Sequence, residues 1–211
     1  ICALRTAHSG LAGVVLNLNR EDTNVILGRE HRTLWGRNWL EEELCGLTFR
    51  LSVPSFFQIN LEQTQRLYAL ALEYAGLTGT ETVLDLYCGI GTISLCLAQR
   101  AGKVIGAEVV PQAIEDAKAN ALRNGVDNAE FFCGDAGQIA AHLVRQGVRP
   151  RVICVDPPRK GLGPEVPEIL AAMAPERIVY VSCDPATLAR DVKRLSLLGY
   201  SAVKAQGVDL F

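Results

Sequence analysis

The amino-acid sequence predicts an α/β protein with a doubly wound parallel sheet and a small, incomplete β module at its N-terminus. From about residue 80, five short apolar runs alternate with segments of helical periodicity. The runs are rich in β-branched and aromatic residues, which is typical of strands buried on both faces. Alternating strands and helices imply parallel strands joined by right-handed crossovers. Residues 1–55 instead contain β-type runs separated by polar turns.

The five strands of the α/β part are predicted at TVLDLY (82–87), KVIGAE (103–108), AEFFCGD (129–135), RVICVD (151–156) and RIVYVS (177–182). Helices are predicted at about 60–76, 92–100, 111–124 and 185–198. In the last helix, Leu188, Val192 and Leu195 share one face. Its charged residues are expected to point outward: Arg190, Asp191, Lys193 and Arg194.

The N-terminal β-type runs are LAGVVLNLN (11–19), NVILG (24–28) and LTFRLSV (47–53). We therefore expect two domains, a partial β module over 1–55 and an α/β domain over 56–211. The 211 residues are 49% hydrophobic and 21% charged, which is typical of globular proteins. The formal net charge of −2 gives no global basic field, so nucleic-acid binding cannot be argued from net charge.

Composition also argues against several classes of protein. The sequence has no run of 18 apolar residues, so no membrane span is expected. Its seven cysteines form no Cys-x-x-Cys pair, so no zinc or iron–sulfur site is expected. An odd number of thiols in an α/β protein fits a cytoplasmic location. The chain begins at Ile1 and its only methionine is Met173, so we expect a piece of a longer protein. We expect it to be monomeric.

A glycine-rich turn, DLYCGIG (85–91), follows the first strand of the α/β part. Gly89 and Gly91 permit a tight turn and the close approach of a ligand to the next helix N-terminus. Glu108 ends the second strand, where a carboxylate can accept both hydroxyls of a ribose. Together these features predict a nucleoside site, although a tight turn without a ligand accounts for Gly-x-Gly about as often.

NAD is the alternative nucleoside ligand. Its pyrophosphate favours Gly-x-Gly-x-x-Gly, but Ser94 stands where the third glycine would be. Asp85, at the strand end, fits S-adenosylmethionine better because its carboxylate can take up an amino group; orienting the loop is an equal alternative. Asp135 follows the third strand and could reach the adenine edge.

A second candidate site is VDPPRKG (155–161), at the end of the fourth strand. Two prolines stiffen this loop, so Asp156 is held at the carboxyl edge of the sheet, where open α/β folds bind ligands. Arg159 and Lys160 beside it favour an anionic partner. A strand-ending aspartate could instead cap the next helix.

Cys183 lies where the fifth strand passes into a helix. Asp184 can cap that helix and Pro185 suits its first turn, so the sulfur lies near a helix N-terminus. This position favours the thiolate, whereas the charge of Asp184 opposes it. The alternative, a small buried apolar cysteine, fits other positions better: Cys88, Cys96, Cys133 and Cys154.

A nucleophilic thiol beside an S-adenosylmethionine pocket suggests methylation of uracil at carbon 5. That carbon is not nucleophilic enough to take a methyl group unaided. Addition of a thiolate to carbon 6 creates an enolate that can attack the methyl sulfonium. A base then removes the proton from carbon 5 and the thiol leaves.

Five segments together resemble the RNA uracil-5 methyltransferases of the TrmA/RumA type, over roughly residues 10–211. They are SFFQIN (55–60), LDLYCGIGT (84–92), VIGAEVVPQAIEDAKANA (104–121), DPPRKGL (156–162) and VSCDPATLARD (181–191). The resemblance implies a Rossmann-like class I methyltransferase fold and Cys183 as the nucleophile. It places the following residues around the cofactor: Gln58, Tyr87, Thr92, Glu108, Asp135 and Asp156.

Within this family the sequence looks most similar to bacterial 23S ribosomal RNA enzymes, with the tRNA enzyme next. RNA phosphates are expected at the basic residues Arg159, Lys160, Arg190 and Lys193. The resemblance places a proton-removing glutamate just beyond GVDLF (207–211), where this sequence ends. We therefore expect a C-terminally truncated sheet, slow resolution of the adduct and weak RNA affinity. Methylation of another base or small molecule, or a non-catalytic cofactor- or RNA-binding fragment, are the alternatives.

Overall fold

The computed structural model describes residues 1–20, 27–28 and 30–210. A short helix, α1 (Cys2–Ala7), precedes two antiparallel hairpins. The first hairpin pairs β1 (Gly13–Leu18) with β2 (Glu30–Gly36), and the second pairs β3 (Trp39–Leu44) with β4 (Leu47–Ser52). A connecting segment over 53–60 then leads to α2 (Leu61–Ala75).

The remaining chain forms five parallel strands, β5 (Thr82–Leu86), β6 (Lys103–Glu108), β7 (Ala129–Cys133), β8 (Val152–Val155) and β9 (Arg177–Tyr180). The helices between and after them are α3 (Thr92–Ala98), α4 (Pro111–Arg123), α5 (Ala136–Arg145), α6 (Val166–Met173) and α7 (Pro185–Leu197). The strand order is β7-β6-β5-β8-β9. The chain therefore reverses its direction of winding between β5 and β8, and doubly wound sheets bind ligands in the crevice at such a point.

The five strands predicted for the α/β part are confirmed, as are the four predicted helices. The sequence pattern did not predict α1, α5 and α6, nor β2 and β3. In β3 three consecutive glutamates, Glu41–Glu43, hide the apolar alternation that identifies a strand. The strand predicted at 24–28 lies mostly outside the described residues.

Apolar clusters cover both faces of the parallel sheet. Val83 contributes to one cluster and its neighbour Leu84 to the other, because successive side chains of a strand point to opposite faces. Phe49 of β4 is fully buried in the cluster that contains Val83. The β3–β4 hairpin therefore shares a core with the parallel sheet, and a domain boundary at residue 55 stays a prediction. Among the described residues, no helix is long and apolar enough to cross a membrane.

Candidate active site

The turn after β5 has the backbone conformation that its glycines predict. Gly89 and Gly91 have φ angles of 55° and 83°, and Tyr87 also has a positive φ, of 68°. These values lie in the left-handed region that favours glycine. A Cβ atom at Gly91 would lie 3.2 Å from the Cβ of Ala117. A larger residue at Gly91 would therefore be strained in its backbone and crowded by α4.

Glu108 closes this turn from the end of β6. Its Oε2 accepts a hydrogen bond from the backbone N–H of Gly89 at 3.2 Å, and its Oε1 accepts one from that of Val110 at 3.0 Å. The two bonds fix the carboxylate at the mouth of the crevice. A carboxylate has roughly four acceptor positions, so both oxygens can still accept from the hydroxyls of a ligand.

Asp85 is fully buried beneath the turn. Its Oδ2 accepts a hydrogen bond from Ser94 Oγ at 2.5 Å, whereas its Oδ1 has no partner among the described residues. Burial raises the pKa of Asp85 to about 7, with the charges of Asp156 and Glu108 adding to the shift and the Ser94 bond opposing it. Burial also raises the pKa of Asp156 to about 6. A buried carboxylate oxygen without a partner is costly, so this site favours a ligand with a cationic donor.

Two further predicted cofactor residues lie at the starts of helices, Thr92 in α3 and Asp135 ahead of α5. Thr92 Oγ1 and Tyr68 OH are 2.8 Å apart, which connects the start of α3 to α2. Asp135 is exposed and caps α5, since its Oδ1 accepts from the N–H of Gln138 at 3.1 Å. The pKa of Tyr87 is raised to about 12, chiefly by burial and next by the charge of Asp135.

Gln58 lies in the segment between β4 and α2 and is half-buried. Its neighbours Phe56 and Ile59 are 77% and 96% exposed, which leaves two large apolar side chains open to solvent beside it. Only the family resemblance selected Gln58, because a glutamine ahead of a helix carries no signal of its own.

Cys183 is exposed at the junction of β9 and α7. The predicted capping is confirmed: Asp184 accepts a hydrogen bond from the N–H of Thr187 at 2.8 Å, and Pro185 is the first residue of α7. This bond to Thr187 is the main cause that lowers the pKa of Asp184, and the charge of Arg159 contributes. The loop after β8 lies against the start of α7, since a Cβ atom at Gly161 would lie 3.2 Å from the Cβ of Thr187.

The loop after β8 is held down by a buried carboxylate. Asp191 was predicted to point outward, which is wrong: it is fully buried. Its Oδ2 accepts from the N–H of Leu162 and from Tyr180 OH, both at 2.8 Å, and its Oδ1 lies 2.9 Å from the guanidinium of Arg190. Arg190 also donates to the carbonyl of Lys160 at 2.8 Å. Asp191 turns inward because it satisfies these donors.

Arg190 thus has a structural partner in addition to its predicted RNA contact, which stays a prediction. All four predicted RNA-binding residues are exposed: Arg159, Lys160, Arg190 and Lys193. Cys88, Cys96 and Cys154 are buried as expected, but Cys133 is exposed, because β7 is an edge strand. In the described part of the chain, no group of three or more histidine, cysteine, aspartate or glutamate side chains could hold a metal ion.

Asp85 lies near the end of β5, and Asp156 and Cys183 follow β8 and β9; these three strands are neighbours in the sheet. Parallel strands end at one edge, so the turn, the acid after β8 and the thiol share the crevice at the reversal point. A doubly wound sheet with a glycine turn after its first strand and an acid at the end of its second is the arrangement of Rossmann-like folds, which include the class I methyltransferases. An S-adenosylmethionine-dependent methyltransferase from Agrobacterium tumefaciens has this fold, with a TM-score of 0.63 and 20% identity over 80% of this chain and 61% of that one.

The chain belongs to the tRNA (Uracil-5-)-methyltransferase family, whose pattern matches residues 20–204. An uncharacterized RNA methyltransferase from Clostridium acetobutylicum is 49% identical over 208 residues, which is 99% of this chain and 45% of that protein. One from Oceanobacillus iheyensis is 51% identical over 198 residues, 94% of this chain and 43% of that protein. The chain thus spans less than half the length of these curated relatives.

The solved tRNA (uracil-54, C5)-methyltransferase of Pyrococcus abyssi, in complex with S-adenosyl-L-homocysteine, is also similar. The two chains share 34% identity with a TM-score of 0.76, over 90% of this chain and 46% of that one. The resemblance inferred from the sequence motifs and the Rossmann-like fold are therefore both confirmed.

Proposed function

We propose that this chain carries the cofactor site and the nucleophile of an RNA uracil-5 methyltransferase. One observation carries the proposal: the glycine turn with Glu108 and the exposed Cys183 lie together at the carboxyl edge of one sheet. A nucleoside site alone would fit many methyltransferases. Carbon 5 of uracil must be activated by covalent addition of a nucleophile before it can accept a methyl group, and a thiol at the same edge can be that nucleophile. Most other methyl transfers need no such nucleophile, so the thiol favours uracil as the target.

S-Adenosylmethionine is the cofactor, and when bound it supplies an electrophilic methyl group. Glu108 would accept the ribose hydroxyls, and the unpartnered Oδ1 of Asp85 fits an ammonium group. The other residues proposed to hold the cofactor are Gln58, Tyr87, Gly89, Gly91, Thr92, Asp135 and Asp156. The closely spaced acids suit a cationic ligand, because the charges of Asp156 and Glu108 add to the burial that raises the pKa of Asp85, and a bound positive charge would offset this repulsion.

Cys183 starts the reaction by adding to carbon 6 of the uracil. The new carbon–sulfur bond pushes the electron pair of the 5,6 double bond toward the carbonyl oxygen at carbon 4, and the resulting enolate makes carbon 5 nucleophilic. After carbon 5 has been methylated, a base takes its proton, the double bond forms again and the thiolate leaves. Cys183 lies two residues before the first residue of α7, so its sulfur is positioned close to the N-terminus of that helix.

The RNA would approach the exposed thiol past Arg159 and Lys160. Ribosomal RNA is the substrate that the sequence motifs favour. Transfer RNA is the second candidate, because the similar enzyme from Pyrococcus abyssi is a tRNA (uracil-54, C5)-methyltransferase. The exposed Phe56 and Ile59 offer apolar surface on which an unstacked base can pack.

The test is a covalent trap with RNA that contains 5-fluorouridine. Fluorine cannot leave as a proton, so the adduct between Cys183 and carbon 6 should persist after methylation and migrate as a protein–RNA complex in a denaturing gel. Ribosomal and transfer RNA fragments are compared at low salt, where phosphate contacts are strongest. Cys183→Ala should abolish the complex, and Cys133→Ala, which removes another exposed thiol, should retain it. A complex that survives Cys183→Ala would refute the assignment of the nucleophile.

A further inference from the structure

Helix α4 carries three polar residues on successive turns of one face. Asp116, Asn120 and the capping Asn124 are spaced four residues apart, so their side chains lie in one row. This row faces the outer edge of β4, where Ser52, Arg50 and Thr48 are alternate residues. Four helical residues rise roughly 6 Å and two strand residues rise nearly 7 Å, so the two rows stay in register over this length.

Two of the three contacts imitate a β-ladder. Asn124 Oδ1 accepts from the N–H of Thr48 and Asn124 Nδ2 donates to the carbonyl of Thr48, each at 2.8 Å. Asn120 repeats this pattern on Arg50, accepting at 2.8 Å and donating at 3.3 Å. Each side-chain amide therefore takes the place of a peptide group from a neighbouring strand, and the exposed edge of β4 is satisfied by a helix.

The third contact fixes the start of the segment that contains Gln58. Asp116 Oδ2 accepts from the hydroxyls of Ser52 and Ser55, at 2.5 and 2.9 Å. Gln58 follows Ser55 by three residues, and Asn60 then caps α2 by accepting from the N–H of Gln63 at 3.2 Å. The segment is thus anchored at both ends.

Asn120 differs from Asn124 in one respect. Its Nδ2 also donates to the carbonyl of Ile90, at 3.4 Å, and Ile90 lies between the two glycines of the turn after β5. The Asn120 side chain is fully buried, so it bridges the β4 edge and the glycine turn from the inside. Asn124 donates its second hydrogen bond back to the carbonyl of Asn120, within its own helix.

We infer that Asn120 is a positioning residue for the cofactor: it sets the spacing between the Gln58 segment and the glycine turn. Three parts of the proposed cofactor site contact α4: the Gln58 segment, the glycine turn and Glu108. Glu108 is among them because the N-cap residue of the helix is Val110, whose N–H donates to the Glu108 carboxylate. Asn120 contacts the glycine turn directly and acts on the Gln58 segment through β4, the strand that leads into it. This inference rests on the proposed function, because it assigns the ligand to that site.

The experiment measures S-adenosylhomocysteine affinity by calorimetry, at a temperature well below unfolding, for wild type, Asn120→Ala and Asn124→Ala. Both variants lose a ladder-like pair with β4, so both should unfold at lower urea concentration. Only Asn120→Ala should weaken binding, by about 5- to 30-fold, because only Asn120 contacts the turn. The same measurements on Gln58→Ala and on the double variant Asn120→Ala/Gln58→Ala complete a cycle. If Asn120 acts through the Gln58 segment, the two losses will be less than additive.

A second variant keeps the test decisive if Asn120→Ala does not fold. Asp116→Ala removes the half-exposed link to Ser52 and Ser55 together with an exposed hydrogen bond from Gln112, and it should weaken S-adenosylhomocysteine binding several-fold with little loss of stability. Equal affinity losses in the Asn120 and Asn124 variants, or none in the Asn120 and Asp116 variants, would overturn the positioning role. A wild-type chain that does not bind S-adenosylhomocysteine would instead overturn the proposed cofactor site, and the inference with it.

Discussion

The hydroxyl of Ser94 donates a 2.5 Å hydrogen bond to the buried carboxylate of Asp85. Ser94 stands where a dinucleotide-binding turn would have its third glycine, which normally lets the helix pack closely on the strand. Here the same position provides a donor for one carboxylate oxygen and leaves the other without a partner. The serine at this position, which argued against NAD as the ligand, thus has a structural role, because its hydroxyl holds the carboxyl group of Asp85 beneath the turn.

Asp85→Asn should stabilise the unliganded protein above neutral pH. The folded-state pKa of Asp85 is about 7, against an ordinary value of 3.8, so the folded protein binds the proton more tightly than the unfolded chain. Stability is therefore lost as pH rises from about 4 to about 7, by up to about 4 kcal/mol at roughly 1.4 kcal/mol per unit. Melting temperatures of wild type and variant between pH 5 and 8 measure this. Parallel curves over that range would contradict the prediction.

Ligand binding should release a proton near pH 7 if Asp85 receives the amino group. An ammonium favours the ionised carboxylate, which lowers the pKa of Asp85 and, to a lesser extent, that of Asp156, about 6 in the free protein. Affinity should consequently fall as pH drops below 7. Calorimetry with S-adenosylhomocysteine in buffers of different ionisation enthalpy counts the released protons. Asp85→Asn is the control, and it should remove most of the buffer dependence; a dependence that persists in it would assign the proton to another group.

The sequence predicts the α/β part well because its strands are apolar on both faces, a pattern that few other structures share. It misses Asn120 and Asn124 for a physical reason: an asparagine on a helix is ordinary unless one knows that a strand edge lies against it. The sequence does not predict the inward orientation of the Asp191 side chain for the same reason, since its partners Leu162 and Tyr180 are 29 and 11 residues away in the chain. Periodicity describes a single element, whereas these roles depend on contacts between elements.

Asp191→Ala should lower the free energy of unfolding by about 2–4 kcal/mol. The substitution leaves the N–H of Leu162 and the hydroxyl of Tyr180 without a buried acceptor and removes the partner of Arg190. Urea unfolding measures the loss. Tyr180→Phe removes only one of these bonds and should cost about 1 kcal/mol. If Asp191→Ala is no less stable than Tyr180→Phe, the buried carboxylate does not hold the loop.

Glu108→Ala should weaken S-adenosylhomocysteine binding by about 1–3 kcal/mol, which is the usual effect of removing the partner of buried hydroxyls. The substitution also frees the backbone N–H of Gly89, so the turn loses one of its ties to β6. Glu115→Ala is the matched control, because Glu115 lies on the exposed face of α4 and pairs only with Lys118. Unchanged binding by Glu108→Ala, or an equal loss in both variants, would contradict the role of Glu108.

Basic residues around the thiol should contribute most to RNA binding where no contact within the protein already engages their charged groups. Lys160 and Lys193 are exposed, whereas Arg190 is committed to Asp191 and to the carbonyl of Lys160. For single-stranded RNA, each phosphate contact adds about 0.7 to the slope of log affinity against log salt. Lys160→Ala and Lys193→Ala should therefore each reduce that slope by about 0.7. Binding of a uridine-containing hairpin, titrated at several salt concentrations, gives the slopes.

Arg190→Ala should behave differently in the same titration. Its removal loosens the loop that carries Arg159 and leaves the buried Asp191 with the more distant guanidinium of Arg194, at 4.0 Å, so stability and affinity should both fall while the salt slope changes less than in the lysine variants. Lys118→Ala, on the surface of α4 and paired with Glu115, is the control that should leave the slope unchanged. A slope that falls by about 0.7 in Arg190→Ala with no loss of stability would show that this guanidinium meets phosphate directly. A slope unaffected by both lysine substitutions would mean that the RNA does not reach the thiol across this surface.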